Sequence, residues 1–170
     1  GARFSLKQRK ILVAIAHELG FQDVSINNVV EEPVLAGFAF SRFAEDANGY
    51  SLIYDFGGGT LDVAIIDVSR TDDDKQQITV LATAAENWLG GDDIDAIVYK
   101  EFIRKLASSL NVSDDVFETE LSFLDKSKLR QRAKKAKEAL TDSETYDDAF
   151  PSEEMGYLNI SLTLQEFESL

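Results

Sequence analysis

Residues 50–66 set a glycine triplet between two short apolar runs. The runs are Tyr50-Ser51-Leu52-Ile53-Tyr54-Asp55-Phe56 and Leu61-Asp62-Val63-Ala64-Ile65-Ile66, joined by Gly57-Gly58-Gly59-Thr60. Aromatic and β-branched residues on both sides of a tight glycine turn predict a β-hairpin. Glycine tolerates positive φ and lets a backbone come close to a ligand. Successive N–H groups in such a turn can cradle an anion. Asp55 ends the first strand, where a carboxylate can hold a metal-bound water, and Thr60 adds a hydroxyl to the cradle. The pattern predicts a phosphate-gripping hairpin. It is not a Walker loop, because no Gly-x-x-x-x-Gly-Lys occurs. Gly57 and Gly59 also lack the third glycine of a dinucleotide fingerprint.

Charge sets how such a turn must work. The chain has 170 residues and a formal net charge of −14. That field disfavours a sequence-independent grip on nucleic acid or an anionic membrane. Phosphate binding must rely on backbone donors, a lysine or a bound Mg²⁺. The length suits one domain or two small subdomains with a real core. With no cysteine there are no disulfides or thiolate metal sites, which fits a reducing compartment, and a cytoplasmic location is expected. The single histidine, His17, cannot build a histidine metal site and is read as structural. No apolar run approaches the ~20 residues of a membrane span, and no signal peptide is visible. The chain opens on Gly1-Ala2 and stops at Glu168-Ser169-Leu170 inside a helical pattern, so it is read as an excised piece of a longer protein.

Periodicity organises the rest. Leu6, Ile11, Ile15 and Leu19 mark one face of a helix over 5–19, stopped by Gly20. Val24–Val30 predicts a short strand. Pro33 suits the first turn of a helix running from Val34 to about Ala44, and Ala47-Asn48-Gly49 predicts a turn. The hairpin strands are Ser51–Phe56 and Leu61–Val68. A polar loop around Asp72-Asp73-Asp74 follows, then a third strand, Ile78–Thr83, completing an antiparallel meander. Gly90-Gly91 leads into a helix carrying Ile94, Ile97, Val98, Phe102, Leu106 and Leu110, with Asp92 as its expected N-cap. These glycines allow another backbone or a nucleotide to come close. Asp114–Phe123 predicts a short helix. Lys126–Leu140 predicts a basic helix whose narrow apolar stripe is Leu129, Ala133, Ala136 and Leu140. Its cations are a solvated face or, in so acidic a chain, a place for a nucleotide or acidic partner. Ser143–Phe150 and Tyr157–Leu162 pair around Pro151–Gly156, and Thr163-Leu164-Gln165-Glu166 is a capping box opening a final helix.

The strand–Asp–x–Gly-Gly-Gly-Thr–x–Asp–strand pattern resembles the second phosphate hairpin of the actin-like ATPases. Within that group the motif order is similar to the ATPase domain of the seventy-kilodalton heat-shock chaperones. The matching stretches are Glu31-Glu32-Pro33, Asp55–Asp62, Leu89–Asp93, Ala136-Lys137-Glu138-Ala139-Leu140-Thr141 and Phe167-Glu168-Ser169-Leu170, in order along essentially the whole chain. The resemblance implies an α/β fold, an actin-like ATPase (ribonuclease H-like) lobe fragment with a mostly helical subdomain. It implies three parts: the end of a first lobe over 1–48, a phosphate-hairpin sheet over 49–95, and a helical subdomain with a small hairpin over 96–170.

It also implies ATP/ADP and Mg²⁺ as cofactors, with roles for named residues. Asp55 would hold the Mg²⁺ water shell. Gly57, Gly58, Gly59 and Thr60 would bind β- and γ-phosphates. Glu32 would join the network around metal and attacking water. Gly90 and Gly91 would lie near the nucleotide, and Lys134, Lys137, Glu138 and Thr141 would stand at the adenosine site. J-domain and nucleotide-exchange co-chaperones would be partners of the full-length parent, with no nucleic acid and no membrane. This chain departs from the family at Lys134, where glutamate is usual, and at Glu138, where several members carry arginine or an apolar residue. Glu31 replaces an asparagine. The first phosphate hairpin and the catalytic lysine lie outside it, so the fragment alone is expected to be inactive in hydrolysis. Two other readings stand beside this one: the nucleotide-binding lobe of a cytoskeletal actin-like ATPase, and a divergent pseudo-ATPase serving as a binding module.

Overall fold

A computed structural model describes residues 4–43, 48–71 and 76–170. The chain divides into two compact units, Gly1–Gly90 and Gly91–Leu170. The turn expected at Ala47-Asn48-Gly49 and the Asp72-Asp73-Asp74 loop fall wholly or partly outside the described residues.

In the first unit, helix α1 (Leu6–Glu18) opens on a capping box in which the Ser5 hydroxyl accepts the Gln8 N–H. The expected apolar face is present but uncovered: Leu6, Ile11, Ile15 and Leu19 are all exposed. His17 Nε2 lies 2.7 Å from the Val24 carbonyl and pins the following loop. Where Val24–Val30 predicts a strand, the chain instead forms a single 3-10 turn, Ile26–Asn28. The Asn28 side-chain oxygen accepts both the Ser25 N–H and its hydroxyl at 2.8 Å. A local side-chain bond of this kind offers the backbone an alternative to a strand ladder and overrides β-propensity. Helix α2 (Glu32–Phe43) follows, with Pro33 in its first turn.

Strands β1 (Gly49–Phe56), β2 (Leu61–Arg70) and β3 (Gln76–Glu86) form an antiparallel sheet in the order β1-β2-β3. The strands run longer than the sequence pattern suggested, because ladder pairing carries polar residues such as Ser69 and Gln77 along. Asp62, Ala64, Ile66 and Val68 point inward from β2, with Ile66 fully buried. Helix α2 covers that face through Gly37, whose missing side chain leaves room for Ile66 and Ile53. A Cβ there would lie 2.7 Å from Ile66 Cδ1.

The second unit packs helices α3 (Gly91–Ser109), α4 (Asp114–Glu120), α5 (Phe123–Ala139) and α6 (Leu164–Ser169) with the hairpin β4 (Thr145–Ser152)–β5 (Gly156–Thr163). Its core is Phe102, Leu106, Phe117, Phe150 and Leu162, together with the α5 stripe of Leu129, Ala133, Ala136 and Leu140, all buried. The alanines of that stripe let α5 lie close to α3. The cations of α5 are not merely solvated. Arg130 lies over the Tyr99 ring at 4.9 Å and Arg132 over Phe150 at 5.1 Å, so their stems and planar heads roof the core.

Several boundaries move. Helix α3 begins at Gly91, so Asp92 sits in its first turn rather than capping it, where its charge still favours the positive end of the helix. Helix α5 begins at Phe123, because Ser122 caps it by accepting the Asp125 N–H at 3.1 Å. Pro151 lies inside β4 rather than in the turn, which a two-stranded sheet tolerates because each strand has an outer edge. The Thr163–Glu166 capping box forms as its sequence specifies.

Candidate phosphate turn and its surroundings

The hairpin turn is closed by a 2.8 Å bond from the Gly57 N–H to the Thr60 carbonyl. Asp55 stands directly across the ladder from Asp62. Residues opposed in an antiparallel pair share one face, so two carboxylates are brought together beside the glycine turn, an arrangement that destabilises a sheet. Asp62 is buried, and its Oδ2 accepts the Thr60 hydroxyl at 3.2 Å. Thr60 is thereby oriented by Asp62. Asp55 is half-buried, while Gly58 and Gly59 are exposed. None of the turn glycines uses positive φ; among the described residues that conformation falls to Gly20, Gly49, Gly156 and Asn111. At Gly57 space is tight: a Cβ there would lie 3.3 Å from the Thr60 carbonyl oxygen.

Gly90 belongs to the same place. A Cβ on it would lie 2.5 Å from the Gly58 carbonyl oxygen and 2.7 Å from the Gly59 nitrogen. Of the two approaches open at the sequence level, another backbone or a nucleotide, the first is what fills the space at Gly90. Asp55, Gly57, Gly58, Gly59, Thr60 and Gly90 thus form one cluster within the first unit. Glu32 is exposed at the start of α2 and lines a groove of about 460 Å³ with Phe4, Arg9, Leu12 and Leu35. Its neighbour Glu31 is held by Arg9 at 2.7 Å.

The remaining expected site residues lie in the second unit. Lys137 reaches the N-terminus of α3, where its ammonium lies 2.6 Å from Asp95 Oδ1 and donates to the Gly91 carbonyl at 2.9 Å. Asp95 Oδ1 is buried and makes no well-angled hydrogen bond, so the Lys137 charge is what compensates it. This pairing was not legible in the sequence, since the two residues lie far apart in the chain. Lys134 lines a cavity of about 510 Å³ with Asp92, Asp95, Tyr99, Glu118 and Arg130. The Tyr99 hydroxyl donates to Glu118 at 2.8 Å. Burial, then that bond and the Glu118 charge, push the phenol well above its ordinary value. Glu138 and Thr141 are exposed at the C-terminal end of α5. Among the described residues no cluster of three or more acidic or histidine side chains is arranged to hold a metal ion, and no helix is long and apolar enough to cross a membrane.

A three-stranded antiparallel meander with a helix across its inner face, followed by a helical unit carrying one hairpin, is the mixed α/β architecture of an actin-like ATPase lobe. Comparison with known proteins fixes the family. The model of the Hsp70 protein family matches residues 4–170. The chain is 33% identical over 147 residues to a chaperone protein HscA homolog of Rickettsia bellii, covering 86% of this chain and 20% of that protein. It is 30% identical over 154 residues to the chaperone protein DnaK of Carsonella ruddii, covering 86% and 24%. An HscA homolog of Pseudoalteromonas atlantica is 31% identical over 147 residues, covering 86% and 21%. The chain belongs to the Hsp70 family. It spans between a fifth and a quarter of the length of these relatives.

Proposed function

We propose that this chain supplies the second phosphate hairpin of an ATP-hydrolysing chaperone, with part of its adenosine site. The observation that carries the reading is the pair of opposed carboxylates, Asp55 and Asp62, at the mouth of a glycine turn. Such a pair costs stability unless a cation is near. Mg²⁺ keeps most of its waters and is held by one or two carboxylates plus substrate phosphates. The half-buried Asp55 fits that role through water. Bound there, the ion would neutralise phosphate charge. The chain's own contribution is to present the Gly58 and Gly59 amides to the β- and γ-phosphates. The Thr60 hydroxyl, whose single hydrogen is donated to Asp62 Oδ2, would turn to a phosphate oxygen in exchange for that bond.

Glu32 would act at the attacking water. Gly91 would lie near the nucleotide, and Lys134, Lys137, Glu138 and Thr141 would border the adenosine. The tripartite division at 48 and 95, J-domain and nucleotide-exchange partners, and a cytoplasmic setting belong to the same proposal for the full-length protein. Phosphoryl transfer is mostly positioning and electrostatic stabilisation. In the full-length parent, Asp55→Ala and Thr60→Ala should each lower turnover ~100–1000-fold. Near-normal turnover in both would sink the assignment.

A second reading, a pseudo-ATPase binding module, is favoured by one observation. Lys137 is already engaged by Asp95 and the Gly91 carbonyl, so a nucleotide would have to compete for it. Calorimetric titration of the full-length protein with Mg·ATP, paired with a phosphate-release assay, separates binding without turnover from hydrolysis.

A further inference from the structure

We infer that Gly90 is a positioning residue for the phosphate turn: its bare Cα is the floor on which the Gly58–Gly59 peptide rests, and that contact sets where the turn presents its donors. The inference rests on the phosphate reading of the turn given above. The covalent path makes the contact unavoidable. Glu86, the last residue of β3, pairs with Leu61, the first residue after the turn. The Trp88 N–H donates to the Glu86 carboxylate at 3.2 Å and bends the chain. Gly90 therefore comes back against the turn, where it is buried.

The atoms that a side chain would strike are all backbone: the Gly58 carbonyl oxygen at 2.5 Å, its carbon at 2.6 Å and the Gly59 nitrogen at 2.7 Å. A flexible side chain could swing away; a peptide plane can only tilt or move as a unit. Tilting it re-aims the Gly59 N–H, because that donor lies in the same plane. The Gly57 N–H is already spent on the Thr60 carbonyl, so the triplet's remaining backbone donors are those of Gly58 and Gly59. A donor displaced by even 1 Å loses most of its value to a bound anion. Gly90 thus acts on phosphate through the turn, without needing to touch the ligand.

The test is a pair of NMR titrations of the 170-residue chain, with Mg²⁺-pyrophosphate and with adenosine, for wild type and Gly90→Ala. In wild type, pyrophosphate should shift the Gly58 and Gly59 amides saturably, and the Gly90 Hα should follow with the same dissociation constant. In Gly90→Ala the pyrophosphate dissociation constant should rise at least fivefold, while adenosine-induced shifts stay as in wild type. Adenosine reports on the second unit, so the check that the first unit stays folded is that the Ile66 and Val68 amides of the ligand-free variant keep their wild-type positions. A Gly90→Ala chain that keeps wild-type pyrophosphate affinity overturns the positioning role. So does a wild-type Gly90 that stays unmoved while Gly58 and Gly59 shift, and this measurement stands even if the variant does not fold. Wild-type Gly58 and Gly59 amides that ignore pyrophosphate would overturn the phosphate reading itself.

Discussion

Asp125 offers the sharpest test of how the second unit is held. It is 1% exposed and sits in the first turn of α5. One oxygen accepts the Ser152 hydroxyl at 2.7 Å and the Glu153 N–H at 3.2 Å. The other faces Lys128 at 3.3 Å. The carboxylate therefore ties the start of α5 to the β4–β5 turn. Asp125→Ala removes the shared acceptor and strands the Ser152 hydroxyl, itself 9% exposed. A hydrogen bond to a charged group contributes about 1.5–3 kcal/mol, and a stranded buried donor costs about 1–3. The Lys128 pair, with a partly exposed ammonium, adds less than about 1. These overlap rather than add, so the expected loss is about 3 kcal/mol, or roughly a hundredfold.

Native-state hydrogen exchange of the Phe150, Leu158 and Ile160 amides measures it directly, since these residues are buried beside the turn that Asp125 anchors. Exchange accelerated about a hundredfold is expected, with Asp125→Asn in between because it keeps an acceptor. Acceleration below threefold in Asp125→Ala would refute the reasoning. The pH dependence has a definite sign. Burial alone would raise the Asp125 carboxyl; the bonds from Ser152 and Glu153 and the Lys128 charge outweigh it and hold the group below its ordinary 3.8. Its contribution is thus complete above that value and is lost as pH falls through the depressed one. The gap between wild type and Asp125→Asn should close at acid pH.

Three further outcomes follow from the same contacts. Gly37→Leu should destabilise the first unit by more than about 2 kcal/mol in urea titration, because Ile66 already fills the space above Gly37; an unchanged midpoint would contradict the α2–sheet contact. Lys137→Met should cost about 2–3 kcal/mol by leaving Asp95 uncompensated, and adding Asp95→Asn should restore part of it; strict additivity would mean that the pair does not interact. Glu166 is held down to about 2 from 4.5, first by the Lys105 hydrogen bond and then by the Thr163 N–H. Its stabilisation should persist above pH 4.5 and vanish as pH falls toward 2, and carbon-detected titration of Lys105→Met should show the carboxyl moving back up toward 4.5.

The elements of this chain were legible wherever the signal was local. The glycine triplet between β-branched runs, the Thr163–Glu166 capping box and the α5 stripe of Leu129, Ala133, Ala136 and Leu140 each carry their own instruction within a few residues. Such signals rest on backbone freedom, cap geometry and helical period, none of which needs a distant partner. The signal at Val24–Val30 failed because strand propensity is only a fitness for pairing, and the Asn28 side chain captured the backbone first. Three features belonged to the tertiary structure alone. Gly90 closes on the Gly58–Gly59 peptide, Lys137 finds Asp95 across two helices, and Asp125 takes its partners from a turn elsewhere in the chain. Each is a contact between segments whose separation along the chain says nothing of their separation in space. Residue type sets what such groups need, a space or a counter-charge, while the fold decides which neighbour provides it.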